Sequence, residues 1–451
     1  MEGSIFPAEE KTGRYPALRG PRKADAVIVG GGLTGMTTAL WLCRAGLRVI
    51  LLEAETLGCG ATARCAGMLS LTGRLMMDRL EKERGPETAG AYLRSQMASF
   101  SAIRSLAEAA DGFGWQDADA GILSPEGAQA LSGEAEALRR AGAAAEVSGS
   151  ARAPLPCKSV LTLRNMAVLD PRRYFADLTQ TAVSLGLQIH EHSRVTALET
   201  NQAQTAQGIV TAPYIVIATG YPVVNVPGWY FTRLIQRRRA RLMLTPSVPC
   251  GGLYWEASGR FGLCRWQDGL LVQLDGGPAG RRMGETPEGI YRRQLAPWLE
   301  GSSILSCDEG LEVFSADGLP YIGAYSRKTP NLFVAAGYGG QGLLGSMTAA
   351  RLISARILGL SEDSAYVFSG QRSGHSVVRD EVISAAAMAG RYLGSFLHPF
   401  APRCPHMGCK LSYSRDRRIW ECPCHGSSFD DIGHLLNAPA AADAIIRHRR
   451  G

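Results

Sequence analysis

The chain has 451 residues with 45% hydrophobic and 20% charged side chains, and its formal net charge is +7. These values are typical of a globular protein with two or three domains, and they exclude a disordered or fibrous chain. The cations are mostly scattered arginines, so we expect no nucleic-acid partner. The densest basic run, which comprises Arg237, Arg238, Arg239 and Arg241, is interpreted as a solvated face.

The ends of the chain and its apolar runs predict a cytoplasmic protein. The first 23 residues are polar and rich in proline and glycine, without the apolar region of a signal peptide. No uninterrupted apolar stretch has the length of a membrane-spanning helix. We therefore expect no membrane span and a compartment in which thiols stay mostly reduced.

A strand, a glycine-rich turn and a helix follow near the amino terminus. The apolar run 26–29 predicts a buried parallel strand, and it leads into GGGLTG. In this GxGxxG pattern Gly30 permits the tight turn, Gly32 allows a pyrophosphate to approach, and Gly35 allows the helix to pack on the strand. The next predicted strand ends at Glu53, which can accept hydrogen bonds from ribose hydroxyls. This arrangement predicts a bound dinucleotide, either FAD or NAD.

Two later apolar runs also predict buried strands. Residues 214–220 read YIVIATG, and residues 332–337 run into YGGQG and a helical stretch at 343–358. On pattern alone, the second loop is as readily a plain strand-to-helix turn as a place where backbone amides face an electron-rich group.

The middle of the chain, residues 231–300, consists of short alternating runs separated by glycine and proline, which is typical of a β-meander. Its aromatic and amide side chains are candidates for a pocket, although each is interpreted first as packing: Tyr254, Trp255, Trp266 and Gln273. The spacing of acids, histidines and serines reveals no catalytic residue.

Residues 24–360 resemble the FAD-dependent oxidoreductases of the D-amino-acid oxidase / glycine oxidase superfamily. The similarity is carried by VIVGGGLTG with Glu53, GCGATARCAGML (58–69), the ATG strand (218–220), SADGLPYIG (315–323) and NLFVAAGYGGQG (331–342). The resemblance implies a Rossmann-like α/β FAD-binding domain of the glutathione-reductase type, at about 24–75, 160–230 and 305–360. It also implies an antiparallel β substrate domain at about 231–304. The flavin supplies the hydride chemistry, so an unassigned catalytic residue is compatible with this family.

The same resemblance implies particular contacts with FAD. Glu53 is expected to bind the adenosine ribose, Val195 to flank the adenine, and residues 339–343 to bring a helix N-terminus to the pyrimidine end of the flavin. The full set of implied FAD contacts is Gly30, Gly32, Thr34, Gly35, Glu53, Thr62, Ala63, Arg64, Val195, Thr219, Gly220, Gly339, Gln341, Gly342 and Leu343.

Residues 361–390 are predicted to form a polar linker and the start of a helix that extends over 381–397. The apolar side of this helix allows two interpretations. The helix could be a lever that joins two modules, or a cover for an exposed edge of the FAD-binding domain.

The tail concentrates soft metal ligands. It contains Cys404-x-His406 and, further on, Cys422-x-x-His425, while Cys409 and Cys424 are left over. A zinc site could use four of these six residues. A Rieske [2Fe–2S] cluster, in which one iron has two cysteines and the other has two histidines, matches the pattern more specifically.

The segments CPHMGC and WECPCHGSSF resemble the two cluster-binding loops of Rieske domains. The resemblance implies a small all-β Rieske module at 391–451. It implies that Cys404, His406, Cys422 and His425 bind the irons, and that a Cys409–Cys424 disulfide joins the loops. The module is short for this family, so we expect it to pack on the flavoprotein part.

These features predict a FAD-dependent oxidoreductase that oxidises a small-molecule amine or amino acid by hydride transfer to FAD N5. Electrons are then expected to pass through the cluster to an unidentified acceptor, so a dehydrogenase is favoured over an oxidase. One alternative is a flavin-dependent reductase that receives electrons through the cluster. A second alternative is a non-catalytic redox sensor or assembly factor.

Overall fold

The structure is a computed structural model, and it describes residues 15–150, 153–222, 228–280, 286–372, 375–395, 398, 400–415, 417–437, 439–440 and 442–446. The strands in chain order are β1 (Gly20–Lys23), β2 (Ala26–Val29), β3 (Val49–Leu52), β4 (Met68–Leu69), β5 (Gln116–Ser124), β6 (Ala145–Gly149), β7 (Ser159–Val168), β8 (Gln188–His190), β9 (Val195–Glu199), β10 (Gln202–Thr205), β11 (Gly208–Thr211), β12 (Tyr214–Gly220), β13 (Leu234–Leu244), β14 (Gly252–Glu256), β15 (Phe261–Trp266), β16 (Gly269–Pro278), β17 (Ile304–Ser315), β18 (Tyr321–Ser326), β19 (Thr329–Ala336), β20 (Ser412–Ser414), β21 (Ile419–Glu421), β22 (Ser428–Phe429) and β23 (Leu435–Asn437).

The α-helices of the described residues vary from one turn to a long helix that is interrupted at Gly85. They are α1 (Leu33–Arg44), α2 (Met77–Ala109), α3 (Gln129–Arg140), α4 (Pro171–Ser184), α5 (Tyr230–Arg233), α6 (Pro287–Gln294), α7 (Gly342–Ile357), α8 (Ala365–Phe368) and α9 (His375–Ser395). None of the helices in these described ranges is long and apolar enough to cross a membrane.

A six-stranded sheet carries the predicted dinucleotide-binding segment. Its order is β18-β19-β12-β2-β3-β8, and all neighbours are parallel except β18 and β19. Strands β2 and β3 are buried along their whole length, as continuous apolar runs in a parallel sheet should be. Gly30 has φ +109°, and a Cβ on Gly35 would lie 1.9 Å from the Gly30 carbonyl oxygen, so α1 packs directly on the turn. The predicted strand, turn, helix and strand are confirmed.

A nine-stranded sheet lies beside the first one, and it confirms the predicted antiparallel β domain. Its order is β17-β13-β16-β15-β14-β5-β7-β4, and β6 pairs with β7. It is larger than the predicted segment 231–304, because β4, β5, β6 and β7 precede that segment and most of β17 follows it. The strands β14 and β5 are parallel neighbours from distant parts of the chain. Alternation in a sequence indicates a strand but does not indicate such a partner.

The carboxyl-terminal part forms its own small sheet, β20-β21-β22-β23, in which all neighbours are antiparallel. Another four-stranded sheet, β1-β11-β10-β9, extends the flavoprotein part. The helix α9 begins at residue 375, before the predicted start at 381, and the predicted end at 396–397 lies outside the described residues.

The segment predicted as a polar linker is anchored by a buried ion pair. The Arg372 guanidinium donates to Asp317 with Nε–Oδ2 and Nη2–Oδ1 distances of 2.7 and 2.8 Å, and its carbon lies 3.9 Å from the Tyr321 ring centroid. Arg84 adds a 2.6 Å bond to the same carboxylate. The side chains of Asp317 and Arg372 are 1% and 4% exposed. The chain after α7 is therefore fixed to the SADGLPYIG motif, which contains Asp317.

Candidate active site and cluster site

A cavity of about 750 Å³ lies between the two large sheets. Every residue implied to contact FAD lines it except Gly35 and Ala63. Gly35 packs against the Gly30 turn instead, and Ala63 is exposed on the outer side of its short helix. The motifs at 30–34, 58–68, 218–220 and 337–344 come from distant parts of the sequence, and the fold brings them to one space.

Glu53 is held in place at the end of β3. Its carboxylate accepts hydrogen bonds from the backbone amides of Gly31, at 2.6 Å, and Glu55, at 2.9 Å. On the other side of the turn, the Leu33 amide donates to the Thr62 hydroxyl at 2.9 Å. A hydrogen bond thus connects Glu53 to the glycine-rich turn, and both line the cavity.

The YGGQG loop and α7 face the same cavity as α1. The Thr34 hydroxyl lies 3.0 Å from the Tyr338 hydroxyl and 3.0 Å from the Ser346 hydroxyl, so the first turns of the two helices are joined. Gly339 and Gly340 have φ of +58° and +92°, a conformation that favours glycine. The loop therefore lines the cavity with glycine backbone, and a role of its amides toward the flavin remains a prediction.

The interpretation of the arginine run as a solvated face is wrong. Arg238 and Arg241 are only 4% and 2% exposed. The strand alternation of β13 directs Arg237, Arg239 and Arg241 to the cavity and Arg238 to the opposite face. Each cavity-facing arginine pairs with a carboxylate from a neighbouring strand, and the pairs are Arg237–Asp275, Arg239–Glu312 and Arg241–Asp308. In the sequence, the arginines at every second position of β13 were the signal that one face of this strand carries these side chains.

Arg74 is a further cavity residue that the sequence did not single out. Its Nη2 donates to the Gly318 carbonyl oxygen at 2.6 Å, and its Nη1 lies 3.0 Å from where a Cβ on Gly339 would be. Burial lowers the pKa of its guanidinium. Of the four pocket candidates, Trp255 and Gln273 line the cavity, whereas the remaining two pack elsewhere.

The two cysteine-rich loops have the same backbone hydrogen bonds. In the first, the Cys404 amide donates to the Cys409 carbonyl and the Gly408 amide donates to the Cys404 carbonyl, at 2.9 and 2.8 Å. In the second, Cys422 bonds with residues 426 and 427 in the same way, at 2.9 and 2.8 Å. Both central glycines have positive φ, +76° at 408 and +83° at 426. Two equivalent turns therefore face each other.

The turns bring the predicted ligands together. The sulfurs of Cys409, Cys422 and Cys424 lie within 4.8 Å of one another. Hydrogen bonds from the thiols of Cys404, Cys409 and Cys424 hold the pKa of Cys422 well below its ordinary value. The rings of His406 and His425 have centroids 4.9 Å apart. Burial, and then the neighbouring His425, lowers the pKa of His406 to about 4, which keeps its imidazole in the neutral form that binds metals.

The cluster loops are packed on the flavoprotein part. The Phe231 ring lies 5.8 Å from the His425 ring and 6.5 Å from the His406 ring, between centroids. Within the carboxyl-terminal part itself, Arg391 Nη1 on α9 donates to the Pro423 carbonyl at 2.9 Å. Residues Leu435, Leu436, Asn437 and Ala440 line the 750 Å³ cavity itself. The carboxyl-terminal module therefore forms part of the cavity wall.

Four charged side chains also join the modules. Glu309, on β17, accepts from Arg238 Nη1 at 3.3 Å and from Arg417 Nε at 2.7 Å. Arg238 pairs in addition with Glu421 on β21. Arg238 and Glu421 are both buried, so these pairs are shielded from solvent and fix a specific arrangement of the modules.

Comparison with known proteins identifies both parts. The family of FAD dependent oxidoreductases (DAO) matches residues 25–356. The chain belongs to this family. The Rieske [2Fe-2S] domain matches residues 374–447. The protein is thus a FAD-dependent oxidoreductase with a carboxyl-terminal Rieske domain, and its cofactors are FAD and a [2Fe–2S] cluster.

Three similar proteins show how much of the chain the similarity covers. The putative Rieske 2Fe-2S iron-sulfur protein YhfW of Bacillus subtilis (strain 168) is 24% identical over 94% of each chain. The glycine oxidase structure from Geobacillus kaustophilus has a TM-score of 0.65 at 21% identity and covers 78% of this chain and 99% of that one. The L-proline dehydrogenase structure from P. horikoshii has a TM-score of 0.65 at 18% identity and covers 78% and 98%. These structures share the fold of the flavoprotein part.

The residues present fit both cofactors. The cavity has the volume of a cofactor site, and two helix N-termini and a fixed acid face it. At the cluster site, both ring nitrogens of His425 are buried without a hydrogen-bond partner among the described residues, beside the grouped sulfurs. Buried polar atoms are normally satisfied, so these nitrogens indicate an iron ligand. The assignment of individual ligands remains a prediction.

The predicted disulfide also remains a prediction. Cys409 and Cys424 are free thiols in this structure, and their sulfurs lie within the 4.8 Å group that includes Cys422. The fold therefore places the two leftover cysteines of the loops side by side.

We expect Glu53→Gln to weaken FAD binding about tenfold, because a hydrogen bond between a carboxylate and a hydroxyl contributes about 1.5–3 kcal/mol and an amide only part of that. The change keeps the size of the side chain and the amide contacts of one oxygen. Fluorescence titration of the apoprotein with FAD measures the effect. Glu199→Gln, at an exposed position that does not line the cavity, is the control and should bind FAD as the wild type does.

Proposed function

We propose that this protein oxidises an amino acid or amine at its C–N bond by hydride transfer to FAD N5 and passes the electrons through the Rieske cluster to an external acceptor. The observation that carries the proposal is the shared wall of the cavity, to which both modules contribute residues. A cluster domain that merely followed an oxidase in the same chain would have no reason to close the flavoprotein's cavity.

The charges of the cavity support a substrate that carries a carboxylate. Its arginines outnumber its acids: the arginines are Arg64, Arg74, Arg194, Arg237, Arg239 and Arg241, and the acids are Glu53, Asp275 and Glu312. Four of these arginines pair with carboxylates, some of which lie outside the lining: Arg194–Glu55, Arg237–Asp275, Arg239–Glu312 and Arg241–Asp308. Arg64 and Arg74 have no carboxylate partner among the described residues, so these two cations remain for the pyrophosphate of FAD and a substrate carboxylate. Arginine also binds carboxylates in a bidentate geometry. The names of the solved neighbours, glycine oxidase and L-proline dehydrogenase, agree with an amino acid as the substrate class.

Arg74 is placed to act at the flavin end of the cavity. It is a buried cation beside Gly339, in the loop that the resemblance assigns to the pyrimidine ring. Bound FAD would supply the acceptor for the hydride, and its reduced form would carry negative charge at this ring. A fixed cation there stabilises that charge without reorganisation during the reaction. The helix N-terminus of α7 adds to the same effect.

A dehydrogenase is favoured over an oxidase. The cluster gives the electrons a route other than oxygen, and the contacts between the modules hold it beside the cavity. The reverse reaction, in which electrons enter through the cluster and a substrate is reduced, uses the same arrangement.

Anaerobic mixing with a panel of amino acids and amines tests the proposal. We expect at least one of them to bleach the flavin band near about 450 nm, with the EPR signal of the reduced cluster appearing afterwards. A Cys422→Ser variant should bleach with the same substrate but show no cluster signal. Iron and sulfide should each be present at about two per wild-type chain.

Each contrary outcome has a distinct meaning. A flavin that no member of the panel bleaches contradicts the proposed oxidation and favours the reductase or the sensor. Bleaching without a cluster signal in the iron-loaded wild type removes the cluster from the electron route. One equivalent of zinc in place of iron contradicts the Rieske assignment itself.

A further inference from the structure

A strand of the cluster module forms one wall of the FAD cavity. Leu435, Leu436 and Asn437, which make up β23, line this cavity, and so does Ala440 shortly after the strand. The side chain of Leu436 is apolar and yet the residue is 57% exposed. FAD is an extended dinucleotide, so it has to run along most of a cavity of about 750 Å³. The exposed leucine of this wall is therefore available to contact it.

Close packing fixes the wall on the flavoprotein part. Asn437 Nδ2 donates to Gln236 Oε1 on β13 at 3.3 Å. In the second cluster loop, a Cβ on Gly426 would lie 2.9 Å from the Ala279 Cβ and 3.1 Å from the Gln236 Cβ. The backbone of the loop thus rests directly on the strands of the flavoprotein part. A displacement of the loop would therefore also displace β23 from the edge of the cavity.

The cavity wall and the second cluster loop belong to one hydrogen-bonded unit. The strand β23 pairs with β22, which directly follows this loop. Ser427 is completely buried and accepts hydrogen bonds from two backbone amides. Its carbonyl accepts from the amide of Cys422, a predicted iron ligand, at 2.8 Å, and its hydroxyl accepts from the amide of Ala440, in the cavity wall, at 3.0 Å. A single buried residue therefore connects the cluster site to the FAD cavity.

We propose that the cluster module contributes to FAD binding through Leu436 and its neighbours on β23, and that FAD and the cluster consequently bind cooperatively. A bound cluster joins the two loops and so keeps β23 in place, because metal binding and local folding are coupled. In a protein without the cluster, FAD has to order this wall itself and binds more weakly. By thermodynamic reciprocity, bound FAD also strengthens the binding of the cluster. The inference requires the two cofactors but not the proposed oxidation of an amine.

Fluorescence titration of the FAD-free, cluster-loaded protein with FAD tests the contact. We expect Leu436→Ala to weaken FAD binding about fivefold, because the removed apolar atoms no longer cover the cofactor. Ile432→Ala is the matched control. Ile432 belongs to the same module and is 59% exposed, but it does not line the cavity, so this variant should bind FAD as the wild type does. Iron analysis verifies that each variant carries its cluster.

The same titration on the full-length Cys422→Ser variant, which should lack the cluster, tests the cooperativity. We expect FAD to bind about tenfold more weakly to this variant than to the wild type, which is within the range typical of coupling between two sites. In the double variant Leu436→Ala/Cys422→Ser, the loss should be smaller than the product of the two single losses, since both changes disturb the same wall.

An FAD affinity that is unchanged in Leu436→Ala, or lowered equally by Ile432→Ala, overturns the contact. Equal affinities of Cys422→Ser and the wild type, or losses that simply multiply in the double variant, overturn the cooperativity through this wall. If Cys422→Ser is unstable, wild-type protein from which a chelator has removed the iron anaerobically takes its place. These titrations use no substrate, so their result does not depend on whether an amine reduces the flavin.

Discussion

Gly280→Ala is expected to slow electron transfer from flavin to cluster severalfold, because the rate of electron tunnelling falls exponentially with the distance between the two cofactors. Gly280 lies just after β16, at the contact with the second cluster loop. A Cβ there would lie 2.3 Å from the Pro423 Cα and 2.5 Å from the Cys422 carbonyl oxygen. Backbone atoms of a tight turn cannot yield to such a contact, so the cluster module has to move away. Stopped-flow absorbance that separates flavin bleaching from cluster reduction measures the effect.

The chain offers a matched control for this prediction. Gly277 has φ +78°, close to the +71° of Gly280, but a Cβ on Gly277 would meet nothing within 4 Å. In both variants, alanine in a left-handed backbone conformation destabilises the protein by about 1 kcal/mol. Only Gly280→Ala also disturbs the contact between the modules. Equal rates of cluster reduction in the two variants would show that this contact does not position the cluster.

The parts of the site that could be predicted are those encoded in local turns. Gly30 is required by its own positive φ, and Gly35 is required by the carbonyl oxygen of Gly30, five residues earlier, so their spacing reveals the dinucleotide site. A Cβ on Gly30 would in addition meet the Ala218 carbonyl of β12, which the spacing does not reveal. The two cluster loops are likewise short turns with a glycine at a positive φ. In such turns, most of the local backbone geometry can be predicted from the residue types and their spacing.

The residues that escaped prediction depend on distant partners. Arginines on alternate positions of β13 look like a solvated strand face, and only the carboxylates of β16 and β17 make that face a cavity wall. The pairing of Arg238 and Arg417 with Glu309 has the same origin.

Asp317→Asn is expected to destabilise the protein by about 3–5 kcal/mol, the usual cost of removing one partner of a buried ion pair. The carboxylate satisfies two arginines, Arg372 and Arg84, and the substitution leaves the buried Arg372 guanidinium with an uncompensated charge. The pair joins the segment after α7 to the flavoprotein core, so α9 should detach early. Urea unfolding followed by FAD fluorescence measures the loss.

The free energy of unfolding at acidic pH gives a second test of the Asp317 ion pair. Burial opposes ionisation of Asp317, but hydrogen bonds and charges of Arg372 and Arg84 outweigh it and lower its pKa from 3.8 to about 2. A carboxylate with a lowered pKa stabilises the fold fully above its unfolded pKa, and the stabilisation is lost as the pH falls toward the folded pKa. The wild type should therefore lose about 2 kcal/mol from this group between about pH 4 and pH 2, and Asp317→Asn should not.

Asp431→Asn is the control for both measurements. Asp431 pairs with Arg418 at 3.0 Å, but both side chains are exposed, and such surface pairs contribute only about 0–1 kcal/mol. Its unfolding should therefore match that of the wild type at every pH. If Asp317→Asn unfolds like this control, the buried pair does not hold the connecting segment, and the contacts of α9 with Pro423 and Lys410 must fix the cluster module by themselves.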